Sequence, residues 1–187
     1  MDRSRADATR VLSQMKKLAS DISKSGVYSS NDVKIAVAYG NTITNVDGNK
    51  ERVVQRIERV SLADARGKLD SVLPLALSKL KTLREGNTKS IMLLTDSTPF
   101  NKDLKKYESL VQTMEKEQIK FIPTFLTAKA LGDTEENPTA AVPDIPSSIA
   151  TSPVVAPVTI FDGQSEIPTL VTSLLRRVDP AGGNLFF

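Results

Sequence analysis

The side chains able to do chemistry in this chain are carboxylates, hydroxyls, lysines and arginines. Among its 187 residues there is no cysteine, no histidine and no tryptophan. A thiolate zinc site, a disulfide scaffold and a cysteine nucleophile are therefore excluded. So are serine–histidine catalysis, imidazole metal ligation and the usual near-neutral acid/base group. Neither GxGxxG nor GxxxxGK[ST] occurs, so no glycine-rich loop is present to cradle a nucleotide phosphate. What remains is oxygen chemistry. Asp96 is placed for it, because it ends the apolar run Ser90-Ile91-Met92-Leu93-Leu94-Thr95. It also has a plain structural reading, as helix cap or turn former.

Stepping from residues to the elements that carry them, apolar periodicity predicts an α/β chain. Val11, Met15, Leu18, Ala19 and Ile22 predict a helix over 6–24. Residues 33–39 are apolar at nearly every position, as in a strand buried on both faces. A turn at Gly40-Asn41 leads to a short strand over 42–46, and Asp47-Gly48-Asn49 is a second turn. Helices are expected over 50–60 and 67–84, the latter kinked or delayed by Pro74. Strand 90–95 precedes a helix capped by Asn101. Strand 120–126 contains Pro123, which argues against a fully hydrogen-bonded centre. Residues 127–157 hold five of the ten prolines and read as a long surface loop. A strand over 158–161 and a helix over 165–178 close the pattern. Alternating strands and helices predict a single domain with a doubly wound, mostly parallel sheet, about six strands with one antiparallel edge, and helices on both faces.

Net charge is +3, from 25 basic and 22 acidic residues, too balanced to argue for nucleic acid. No apolar run approaches the roughly 20 residues of a membrane span, and the charged opening MDRSRADATR predicts no signal peptide at this end.

In this order the segments resemble a von Willebrand factor A (integrin I-like) domain. IAVAYGNTITNVDGNKERVVQRIERV is similar to that family's strand, hairpin and short helix; SIMLLTDSTPF to its central strand ending in aspartate; VTIFDGQSEIPTLVTSLLRRV to its closing strand and helix. The resemblance implies a metal-ion-dependent adhesion site holding Mg²⁺, a hard cation that prefers oxygen ligands and keeps several waters. It maps onto Asp2 and Ser4 for the first motif, with Ala6 where a second serine stands in the family, and onto Asp96 for the fourth-strand aspartate. The family's second-loop threonine is missing, and Asp64 falls in its place when Gly67-Lys68-Leu69 is aligned. The implied site is thus degenerate, with Arg3 and Arg5 beside it.

The family's first strand, central in its sheet, has no counterpart ahead of Asp2. Residues 182–187, Gly182-Gly183-Asn184-Leu185-Phe186-Phe187, offer two glycines and an apolar ending. They predict a strand placed between 33–39 and 90–95, supplied within the chain or by a neighbouring copy. The resemblance implies a protein-binding adhesion or assembly module, not an enzyme, acting through the top face of the sheet and self-assembling through residues 184–187, with an extracellular setting. The alternative is a metal-dependent hydrolase or transferase using Asp2 and Asp96.

Overall fold

Val11, Leu18 and Ile22 are buried along one side of a single helix, α1 (Arg3–Lys24). It opens a computed structural model that describes residues 3–24, 34–65, 69–83, 88–95, 104–126, 145–156, 159–161 and 183–186. The apolar segment after α1 forms β1 (Lys34–Ala36) and β2 (Ala38–Tyr39), and β3 (Thr42–Ile43) follows. Then come α2 (Lys50–Arg59), α3 (Leu62–Ala65), α4 (Leu69–Lys81), β4 (Thr88–Thr95), α5 (Leu104–Lys116), β5 (Ile119–Leu126), α6 (Ser147–Ala150), β6 (Thr159–Phe161) and β7 (Gly183–Phe186).

Five strands form one sheet in the order β1-β7-β4-β5-β6, and every pairing is parallel. The last strand in chain order is therefore the one between β1 and β4. Lys34 and Lys89 both register with Asn184, Ile35 and Ser90 with Leu185, and Ala36 and Ile91 with Phe186. This is the position expected for the 182–187 segment.

Side chains alternate across the pleat, and the core follows that parity. Ile35, Val37, Met92 and Ile122 pack with Leu18, Ala19 and Ile22 of α1 and with Val53 and Ile57 of α2. Ala36, Ile91, Ile119 and Phe121 pack on the opposite side with Leu73, Leu77 and Leu80 of α4 and Tyr107, Val111 and Met114 of α5. Helices thus pack on both sides of β1, β4 and β5, and the apolar runs Ile91–Met92 and Phe121–Ile122 are buried on both.

Several expectations are corrected in detail. Segment 33–39 is not one strand, because it changes partner at Val37. The Val37 amide donates to the Thr44 hydroxyl at 2.9 Å, and β2 then pairs antiparallel with β3. That hairpin is a separate two-stranded unit rather than an antiparallel edge of the main sheet. It stays attached through Ile35 and Asp47, which exchange backbone hydrogen bonds of 2.9 Å in both directions. Helix α4 runs through Pro74, which lies inside it rather than ending or delaying it. The strand around Pro123 pairs with β4 from Ile119 through Phe125, Pro123 included. Backbone groups of alternate residues point to opposite sides, and Phe121 donates to Val154 and accepts from Ala156. Pro123, two residues on, turns its missing N–H to that same side, so the β4 ladder loses nothing.

Within the stretch expected as a surface loop, residues 145–156 pack into the core. Ile145 and Ile149 are buried, and Phe121 bridges Val155. The proline-rich composition hid two isoleucines four residues apart that fix α6 against α5. The helix over 165–178, the Asn101 cap and residues 127–144 lie outside the described residues.

Candidate functional site

Because all five sheet strands run the same way, their carboxyl ends share one edge, where ligands of parallel α/β sheets bind. The edge is stepped. Strand β1 ends at Ala36, level with Phe186 of β7 and Ile91 of β4, whereas β4 and β5 continue paired through Met92–Ile122 to Thr95–Phe125. At about 3.3 Å per residue the step is roughly 13 Å high. Tyr39 of the hairpin and Leu94 of β4 both pack against the core cluster on the α1 side of the sheet.

The four candidate site residues lie in different settings. Asp96, next in sequence after the last residue of β4, lies outside the described residues, as does Asp2. Ser4 stands in the first turn of α1, and its side chain is outside them too. Asp64, in α3, is the one candidate whose side chain is described. Its Oδ2 accepts from the Ser61 hydroxyl at 2.6 Å and from the Ser61 amide at 3.0 Å. The Asp64 amide in turn donates to the Ser61 hydroxyl at 3.2 Å. This reciprocal pair satisfies free donors at the start of α3. The Ser61 hydroxyl, and then its amide, hold the Asp64 carboxyl below its ordinary pKa. The structure thus gives Asp64 a capping role and leaves only Oδ1 for any other partner. Among the described residues, no three acidic side chains gather where they could hold a metal ion.

The Asp64 backbone carbonyl has a second neighbour. Gly40, at the tip of the β2–β3 hairpin, has φ +56° and lies close beneath it. A glycine at the first central residue is what a tight two-residue hairpin loop requires. The hairpin and α3 are in this way seated together near the step.

Two polar features escaped the sequence reading. The first is a network at the hairpin's end. Asp47 accepts from the Asn49 amide at 2.9 Å and pairs with Arg56 at 2.9 Å, and Arg56 also donates to the Asn45 carbonyl. The Asn49 amide, followed by Arg52 and Arg56, holds the Asp47 carboxyl low. Asn49 caps α2 by accepting from the Arg52 amide. A DxN turn followed by arginines one and two helical turns later was the available signal. The second is Thr124, fully buried in the carboxyl half of β5, with no partner for its hydroxyl among the described residues. A lone threonine in the apolar run Ile119–Leu126 was its signal. The Ser61–Asp64 pair was likewise legible as S-x-x-D ahead of a helix.

Among the described residues no helix is long and apolar enough to cross a membrane. No known family model matches the sequence, and no curated protein is significantly similar to it.

Proposed function

We propose that this chain is a protein-binding adhesion or assembly module with a doubly wound, von Willebrand A-like fold, acting outside the cell through the carboxyl edge of its sheet. The observation that supports this most is the strand order β1-β7-β4-β5-β6. It puts residues 183–186 in the central place that the family's first strand would hold, beside the segment ending in Asp96. Asp2 with Ser4 of the first turn of α1, Asp96 next after β4, and the hairpin–α3 unit carrying Asp64 would then frame one recognition face. Mg²⁺ on these oxygens would offer an open position to an acidic side chain of a partner. The same central strand, if exchanged between copies, makes the module self-assembling through residues 184–187.

The test compares the intact chain with one lacking residues 184–187, by sedimentation and thermal melting. The reading expects the shorter chain to melt lower and to lose any oligomer that persists at high salt. Equal melting and equal assembly would defeat the strand-based reading.

A further inference from the structure

Two helices on opposite faces of the sheet carry polar rows of the same pitch. On α1 the row is Lys17, Asp21 and Lys24; on α5 it is Glu108, Gln112 and Glu115. In each, the second residue follows the first by four positions and the third by seven, which sets all three on one helix face. Lys17, Lys24, Gln112 and Glu115 are exposed, and Asp21 and Glu108 are half-buried. The opposite sides of the helices are anchored in different cores, α1 through Leu18 and Ile22, α5 through Tyr107 and Met114. The sheet separates the rows, so they cannot meet within one molecule. The α5 row also borders a groove of about 440 Å³ floored by Val111 and walled by Ser148, Thr151 and Pro153 of the α6 segment.

We propose that α1 of a second copy of this chain docks along this groove, parallel to α5. Lys17 then meets Glu108, the Asp21 carboxylate accepts from the Gln112 amide, and Lys24 meets Glu115. Each row supplies what the other lacks. The antiparallel alignment would set Asp21 against Val111, which has no side-chain donor, so the pattern selects the parallel one. In the parallel register the flanking Lys105 falls opposite Gln14, so no like charges are brought together there. The lysine stems lie over Val111 and Pro153 while their ammonium groups reach the glutamates. Because donor and acceptor rows sit on opposite faces, the contact is head-to-tail and propagates into stacks or closed rings. It is separate from the β7 slot, and neither needs the other.

Sedimentation velocity on the intact chain at about 0.01 M and 1 M salt tests it, since screening lengths there are about 30 and 3 Å. Association at low salt should weaken ~10-fold or more at high salt, a free-energy change of about 1.4 kcal/mol. The double variants Lys17→Glu/Lys24→Glu and Glu108→Lys/Glu115→Lys should each sediment as monomers at low salt, with unchanged circular dichroism and melting. Their equimolar mixture should associate again, because each restores the charges that the other has reversed. The chain has no cysteine, so an Asp21→Cys/Gln112→Cys variant should give a reducible ladder of covalent oligomers on mild oxidation. A monomeric intact chain at low salt, a mixture that stays monomeric, either double variant alone associating like the parent, or no ladder would each overturn the contact. Oligomers insensitive to both salt and charge reversal would belong to strand exchange instead.

Discussion

The carbonyl oxygen of Asp64 lies 2.5 Å from the point where a Cβ on Gly40 would stand. No real side chain tolerates that separation from a backbone atom, and the Gly40 φ of +56° would strain any L residue in addition. Gly40→Ala should therefore push the hairpin off α3 and destabilise the fold by roughly 2–3 kcal/mol. Chemical denaturation of the two proteins measures this. Equal stability would mean that the hairpin and α3 are not in contact in solution.

The acid side of the stability curve should carry the mark of Asp47. Its folded-state pKa lies below the ordinary value, held there first by the Asn49 amide and then by Arg52 and Arg56. A depressed carboxylate contributes stability above its unfolded pKa, near 3.9, and the contribution is lost as pH falls through the lower folded-state value. Asp47→Asn should cost about 1 kcal/mol at neutral pH. The gap from the parent should close as pH drops below about 4. A gap that stays constant from pH 7 to pH 3 would show that the charge plays no part.

Thr124 invites a substitution that stabilises. Its hydroxyl is buried without a partner among the described residues, opposite Leu94, and valine keeps the branched shape without the polar atom. Thr124→Val should raise stability by about 1 kcal/mol, since the desolvation penalty disappears. A lower melting point in the valine variant would show that the hydroxyl is satisfied or used.

Metal binding separates the roles of the acidic residues. If Asp2, Ser4 and Asp96 hold Mg²⁺, then metal at ten times its Kd should add about 1.4 kcal/mol of stability by mass action. Asp96→Ala should erase that shift. Asp64→Ala should lower the melting point with and without metal alike if its task is to cap α3, and should remove the shift only if it also ligates. No shift in the parent at millimolar Mg²⁺ would retire the metal reading.

The sheet was legible in the sequence wherever burial left no choice. Ile91 to Leu94 and Phe121 to Ile122 are apolar on both faces, and only a strand between two helical layers uses such a pattern. The placement of Asn184 to Phe186 followed from counting backbone partners, since a gap between β1 and β4 would strand both ladders. Val37 was less legible, because its change of partner depends on a hydroxyl supplied by Thr44, seven residues away. Ile145 and Ile149 were obscured by surrounding prolines, although their spacing by four is a helical signal. For the candidate site, the Ser61–Asp64 pair shows why residue type alone misleads: an aspartate aligned to a ligand position is also a good cap, and only hydrogen-bond geometry distinguishes the two.

The order of the strands has a consequence for how the molecule is made. The β4–β5 and β5–β6 pairs join residues about 30–35 apart, and β4 and β5 can zip as soon as they are synthesised. Lys34 must wait for Asn184, about 150 residues later. At roughly 5–20 residues per second, one flank of β4 stays bare on the ribosome for about 5–20 seconds after Thr95 is added. During that interval the growing chain displays an open, apolar strand edge, the feature that most readily captures other chains. Slow or crowded synthesis should therefore lower the soluble yield of this protein more than its final stability would suggest.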